Sequence, residues 1–379
     1  MIIAVPKEIH PGENRVACTP DVASKLIKIG YEIHIEKNAG LNAGFRDEQY
    51  EKAGAKVIDN AEQLLQSADI VLKVQKPELG EIKKIKKGAL LISFVYVLHY
   101  PNIAKICAEN GIDLIAMDMI PRTTLAQKMD ALSSQANIAG YKSVILAANH
   151  LGKIFPLLMT AAGTISPAKV VIMGAGVAGL QALGTAKRLG AVVEVSDIRP
   201  SAKEEVQSLG GKFIEVETSE NMQDERGYAK EASEEFLRKQ KELIFKHVTE
   251  ADIVITTALV PGKKAPVLVT EEMVKNMRPG SVVLDMAVEF GGNCEISEYG
   301  KTVKKYDVTI IGEPNLPSLV PTHASEMYSK NLLALIQHIG KNGQIELKLE
   351  DEIIKGCLIT KNGEIINERI KELLKEKGD

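Results

Sequence analysis

Gly174, Gly176 and Gly179 stand in a G-x-G-x-x-G spacing, and an acid, Asp197, follows eighteen residues after the last of them. Each glycine has a separate use: Gly174 permits a tight turn, Gly176 lets a pyrophosphate approach backbone N–H groups at a helix start, and Gly179 allows the helix to pack closely on the preceding strand. Asp197 can accept hydrogen bonds from an adenosine ribose and repels a 2′-phosphate. That favours NAD over NADP, although Arg199, two residues on, works against the preference. A lone glycine triplet is a weak signal. Here it follows the strand-like run 169–173, opens a helical stretch reaching Gly190 and precedes a second strand-like run at 192–196. A glycine turn used only for packing would leave the acid unexplained.

Dinucleotide binding does not specify a reaction, and a dehydrogenase usually adds a general acid/base near the nicotinamide. Of the seven histidines, His10, His34, His150, His247 and His338 fall on helical or strand patterns without a nearby partner, so structural or surface roles suit them. His99 and His323 adjoin Pro101 and Pro321, which suggests turns near a cleft, with capping or packing the competing use. Cys18, Cys107, Cys294 and Cys357 are far apart, lack a C-x-x-C spacing and read as reduced thiols, so no metal site is expected.

The elements that must position these residues follow an α/β pattern of β-branched runs alternating with helical stretches. Strands are expected over 2–5, 31–36, 55–58, 69–74, 89–95 and 112–116, and again over 170–173, 192–196, 212–216, 252–257, 281–285 and 308–311. The fold class is therefore two Rossmann-like, doubly wound parallel-sheet domains linked by long helices. The first helix opens at Thr19-Pro20-Asp21 with a capping residue, a proline and an acid, and stops at Gly30. Helices over 129–151 and 324–339 link a first domain (1–132, completed by 321–379) to a second, dinucleotide-binding one (133–320). A hairpin is expected around Lys361-Asn362-Gly363, before a charged terminal helix. The polar stretch 217–233 reads as an exposed connection; the sharper alternative is a lid carrying Tyr228 over a ligand.

The chain's 379 residues exceed what one core usually serves. With 47 basic and 50 acidic side chains there is no basic surplus to argue for nucleic acid. The longest nearly apolar run, 89–98, is half of a membrane span, and the amino terminus lacks a signal-peptide pattern, so a cytoplasmic protein that does not insert into a membrane is expected.

Val5-Pro6-Lys7-Glu8, Gly12-Glu13-Asn14-Arg15-Val16-Ala17, Thr19-Pro20, Leu72-Lys73-Val74, the glycine fingerprint, the run from Leu259-Val260-Pro261-Gly262 to Pro266, and Gly291-Gly292 together resemble the alanine dehydrogenase and nicotinamide nucleotide transhydrogenase superfamily over essentially the whole chain. Alanine dehydrogenases bind substrate through an Arg and a Lys, matched by Arg15 and Lys73, and catalyse with a His and an Asp. Tyr96 and Glu289 stand at those last two positions. A tyrosine, with an ordinary pKa near 10, is a poor proton shuttle at neutral pH; His99 could substitute only by a different geometry.

The stretch from Arg122 through Gln127, Asp130 and Ser133 to Tyr141 reads by itself as a polar cluster at a helix start. It is similar to the most specific mark of the transhydrogenase branch, the NAD(H)-binding component of the proton-translocating enzyme. Membership of that branch implies Re/Si-specific hydride transfer to NADP on another subunit. It implies that Arg122, Gln127, Asp130 and Ser133 hold the dihydronicotinamide of NADH, with Tyr141 nearby. It also implies that Asp197 holds the ribose, that Val177 and Leu259 line the cleft, and that Tyr228 closes over it. Hydride passing between two nicotinamides carries no proton, which suits the missing acid/base pair. The implied partners are a membrane-domain subunit, an NADP(H)-binding subunit and a second copy of the chain. A separate subunit lying peripherally on the inner face of the cell membrane is therefore expected. The alternatives are an alanine dehydrogenase-like amino-acid dehydrogenase and a non-catalytic NAD-binding module.

Overall fold

The computed structural model describes residues 1–215 and 234–376, so Tyr228 and the stretch 217–233 lie outside the described residues. The chain divides into two compact units, Met1–Ala136 with Pro317–Asp379, and Asn137–Leu316. Helix Ala131–His150 begins in the first unit and continues into the second.

The first unit is built on an eight-stranded sheet. Edge to edge it runs Glu364–Ile365, Leu358–Lys361, Asp113–Ala116, Leu90–Ser93, Ile70–Leu72, Ile2–Val5, Glu32–Glu36 and Lys56–Ile58. The last six are mutually parallel. The first two, a hairpin turning at Asn362-Gly363, are antiparallel and extend the sheet beyond the six strands expected. That addition needs a pairing between Leu358 and Ile115, far apart in sequence, which periodicity does not reveal.

The second unit's sheet runs Lys212–Phe213, Val192–Ser196, Lys169–Met173, Ile253–Thr256, Val282–Asp285, Val308–Gly312 and Lys301–Lys305. All neighbours are parallel except the final pair, whose antiparallel edge strand also adds to the expected set. Lys301–Lys305 (KTVKK) is rich in lysine and half exposed, as suits a sheet edge. Chain order reverses between Lys169–Met173 and Ile253–Thr256, and in such sheets the crevice beyond the carboxyl ends of those two strands takes the ligand.

Both sheets are covered on two faces, which is why their central strands are continuous apolar runs rather than alternating ones. Val170, Val171, Ile172, Val254 and Ile255 are fully buried, each worth roughly 1.5–3 kcal/mol of transfer free energy.

The first helix, Pro20–Lys28, starts after Thr19 as expected, but the Thr19 side chain does not cap it. Thr19 is buried, and its N–H and hydroxyl both face the Ser329 hydroxyl. Among the described residues no helix is long and apolar enough to cross a membrane.

Candidate functional site

In the second unit, strand Lys169–Met173 ends on Gly174, whose φ of +113° is left-handed backbone that side-chain-bearing residues avoid. A Cβ there would meet the Thr257 hydroxyl at 2.5 Å. Gly176 is the N-cap of helix Val177–Arg188, and nothing lies within 4 Å of where its Cβ would stand. A Cβ on Gly179 would sit 1.8 Å from the Gly174 carbonyl oxygen, so helix and turn touch backbone to backbone. The three glycines therefore form a tight turn, an open cradle above the helix N-terminus and a close helix contact, an arrangement that fits a diphosphate. Gly140 lets helix Ala131–His150 approach the same turn, since its Cβ would lie 2.2 Å from the Ala178 carbonyl oxygen.

Asp197 follows the neighbouring strand Val192–Ser196 and is tied to the glycine turn. Its Oδ2 accepts the Ala175 N–H at 2.6 Å, and its Oδ1 accepts the Arg199 N–H at 2.8 Å. The Arg199 guanidinium closes on the same carboxylate, with Nε at 3.0 Å and Nη2 at 3.2 Å. Burial pushes the Asp197 carboxyl up, but the Arg199 and Ala175 hydrogen bonds outweigh it and leave it below the ordinary carboxylate range. The carboxylate is thus ionised and acceptor-only at neutral pH.

Leu259 lies on the loop after Ile253–Thr256, exposed like Val177 and Tyr141. That loop is clamped by a buried residue that sequence reasoning passed over as part of a family match. The Asn293 Oδ1 accepts the Ala258 N–H at 3.0 Å, and its Nδ2 donates to the carbonyls of Ala258 at 2.9 Å and Pro266 at 2.8 Å. The wholly buried Asp285 in turn accepts the Asn293 N–H at 3.1 Å and the Ser297 hydroxyl at 2.6 Å.

The polar cluster at the start of helix Ala131–His150 lies in the first unit. Arg122 and Gln127 are exposed, and Gln127 opens a 3-10 turn, Gln127–Met129, held down by the buried Ala126 and Met129. Asp130 and Ser133 are brought together: Asp130 Oδ1 accepts the Ser133 N–H at 2.9 Å and Oδ2 accepts its hydroxyl at 2.6 Å. This pair caps the long helix. Asn331, on helix Pro321–Ile339, fastens the turn by donating to the Lys128 carbonyl at 2.9 Å and accepting the Ser134 hydroxyl at 2.7 Å. Nothing in the local sequence marks Asn331.

Arg15 and Lys73 are both buried and both paired. Glu13 grips Arg15 bidentately at 2.8 and 2.6 Å, and a third guanidinium contact goes to Gln135 Oε1 at 2.8 Å. Lys73 lies between Glu81 at 2.7 Å and Glu8 at 3.2 Å. Burial would lower the Lys73 pKa, but the two carboxylates reverse that and raise it, while burial pushes Glu8 up. Tyr96, at φ +48°, occupies strained backbone just beyond strand Leu90–Ser93. Glu289 sits in the short turn Val288–Phe290 of the other unit.

Three histidines that read as unpartnered in the sequence have carboxylates beside them: His34 with Glu32 at 2.8 Å, His247 with Glu194 at 2.5 Å and His338 with Asp351 at 2.9 Å. The last two pairs are made by tertiary contact, which explains why sequence order hides them. His99 lies in a turn, its N–H donating to the Tyr96 carbonyl at 2.8 Å, and His323 is exposed in the first turn of its helix. All four cysteines are buried, burial pushing the Cys18, Cys107 and Cys357 thiols up to about 12 and Cys294 to about 11. Among the described residues no His, Cys, Asp and Glu cluster could hold a metal ion.

With this geometry in hand, comparison with known proteins gives consistent matches. Residues 4–139 match the alanine dehydrogenase/PNT N-terminal domain and residues 143–368 the corresponding C-terminal domain. The chain is 48% identical over 376 residues to the separately encoded first portion of the NAD(P) transhydrogenase subunit alpha of Rhodospirillum rubrum, covering 97% of this chain and 98% of that protein. It is 31% identical to alanine dehydrogenase of Bacillus subtilis, covering 98% of this chain and 94% of that one. A solved transhydrogenase structure from Sinorhizobium meliloti superposes with a TM-score of 0.89 at 43% identity, covering 97% of this chain and all of the other.

Proposed function

We propose that this chain, which belongs to the alanine dehydrogenase/PNT family, is the NAD(H)-binding subunit of a transhydrogenase, passing hydride between its own NADH and NADP held by a partner subunit. The observation that carries this reading against amino-acid dehydrogenation is the pairing of Arg15 and Lys73. Glu13 neutralises the first, and Glu8 and Glu81 the second, so these cations are engaged rather than offered to a substrate carboxylate. Tyr96 and Glu289 at the acid/base positions are no obstacle, because nicotinamide-to-nicotinamide transfer moves no accompanying proton.

Bound NADH supplies the hydride. The N–H groups from Gly174 to Val177, with the open space over Gly176, receive its diphosphate, and Gly179 keeps that turn tight. Asp197 accepts from the adenosine ribose with Arg199 beside it, and the exposed side chains of Val177 and Leu259 give apolar contact. Arg122, Gln127, Asp130 and Ser133 orient the dihydronicotinamide. The Asp130–Ser133 pair, fixed by the cap and by Asn331, supplies a rigid edge, with Tyr141 nearby and Tyr228 closing over the ligand. Proton translocation and Re/Si stereospecificity belong to the assembled enzyme, in which a membrane-domain subunit and an NADP(H)-binding subunit complete the machinery and hold this one at the inner membrane face. A homodimer is supported by the hairpin of Leu158–Thr160 and Gly163–Ile165, which carries Met159 at 73% exposure beside exposed Leu157 and Ile165.

Two measurements on the purified chain test the assignment. With no tryptophan to interfere, NADH fluorescence should report binding much tighter than that of NADPH, and Asp197→Ala should weaken NADH about tenfold and narrow the gap. Equal affinities for the two nucleotides in the unmodified chain would contradict the role given to Asp197. In the second, L-alanine with NAD, or pyruvate and ammonia with NADH, should give no turnover; a robust rate would restore the amino-acid dehydrogenase reading.

A further inference from the structure

We propose that Arg199 competes with the adenosine ribose for Asp197, a specificity-determining group that occupies the carboxylate until a dinucleotide with two free ribose hydroxyls displaces it. This rests on the NAD(H)-binding role given above to the glycine turn and Asp197.

An ionised carboxylate offers about four acceptor positions, and four hydrogen bonds fill those of Asp197. Two come from the main-chain N–H groups of Ala175 and Arg199, at 2.6 and 2.8 Å, and belong to the turn itself. The other two come from the guanidinium, Nε on Oδ1 at 3.0 Å and Nη2 on Oδ2 at 3.2 Å. A ribose diol brings two O–H donors and needs two acceptor positions. Only the pair held by the guanidinium can be vacated without unmaking the turn. The asymmetry in exposure agrees, with the Asp197 side chain 8% exposed and that of Arg199 52%. Nη2 also donates to the Ala175 carbonyl at 3.1 Å, so the arginine reaches back over the segment between Gly174 and Gly176. Glu205, on helix Ala202–Ser208, attracts the same guanidinium and gives it a second carboxylate to turn toward once Asp197 is taken.

The same side chain acts in the opposite sense on NADPH. A 2′-phosphate is repelled by Asp197 and attracted by the fork of Arg199, so the arginine sustains whatever NADPH binding remains. Removing it should therefore move the two affinities in opposite directions, which a merely structural side chain would not do.

The test uses the full chain, titrated with NADH and NADPH by fluorescence and with ADP-ribose and reduced nicotinamide mononucleotide by calorimetry. Arg199→Ala should bind NADH and ADP-ribose about fivefold more tightly, the ~1 kcal/mol of a half-exposed ion pair. It should bind NADPH roughly threefold more weakly and leave reduced nicotinamide mononucleotide unchanged. Arg199→Lys, which keeps the charge but not the fork, should fall between the variant and the unmodified chain. If Arg199→Ala weakens NADH, the arginine is a ligand of the dinucleotide and the proposal is wrong; if neither affinity moves, it does not compete and the proposal is equally wrong. An unmodified chain that binds no NADH would overturn the transhydrogenase reading as well, a result distinct from both.

Discussion

Mixed with an NADP(H)-binding partner subunit, the chain should transfer hydride from NADH to a thio-NADP acceptor, and Gln127→Ala should lower that rate by about a hundredfold while NADH affinity changes little. The chain alone should bind NADH and transfer nothing. The split between rate and affinity follows from where Gln127 stands. It opens an exposed 3-10 turn whose Ala126 and Met129 are buried and whose Lys128 carbonyl is held by Asn331, so losing the side chain leaves the turn in place. A group that only orients the reacting ring acts on the barrier more than on binding, and a misplacement of about 1 Å costs that much. Stopped-flow transfer rates beside NADH titrations measure both quantities. A variant that kept full transfer while losing NADH affinity would make Gln127 a binding group instead.

Lys73→Ala should destabilise the protein by about 3–5 kcal/mol, a large share of the ~5–15 kcal/mol that folded domains possess. The side chain is 1% exposed and sits between the carboxylates of Glu81 and Glu8, and removing it leaves two buried acids without their cation. Burial already raises the Glu8 carboxyl above its ordinary value. A carboxyl whose folded pKa is raised takes up protons on folding, so it costs stability as pH rises above the ordinary carboxylate value and ceases to do so below it. The deficit of Lys73→Ala should therefore shrink as the pH is lowered toward that range, and Glu8→Gln placed on top of it should recover part of the loss. Urea unfolding at two pH values measures this. A loss under about 1 kcal/mol would mean that the cluster is hydrated and its charges are not held as a buried set.

The parts of this protein legible in its sequence are those encoded within one supersecondary unit. The run from Lys169 to Asp197 contains strand, turn, helix, strand and acid in order, each determined by residues close along the chain. The observed turn at Gly174, the N-cap at Gly176 and the contact at Gly179 are what those glycines required. The alternation of strands and helices is readable for the same reason, because a buried parallel strand is a short apolar run and a helix stop is a glycine. The Asp130–Ser133 pair is likewise local, three residues apart on one helix start.

Tertiary structure alone decided the pairings between distant segments. Residues 358–365 joined the first sheet as antiparallel strands because Asp113–Ala116 had an unpaired edge there, a fact about the assembled sheet. Gln135 reached Arg15 across 120 positions, Asn331 reached Ser134 across 197, and Glu8 came to face Lys73. The motifs around Arg15 and Lys73 single out both cations but do not show that they arrive already paired. A charge's meaning depends on what stands within hydrogen-bond distance, and in a chain that doubles back through two sheets that distance bears no relation to position along the sequence.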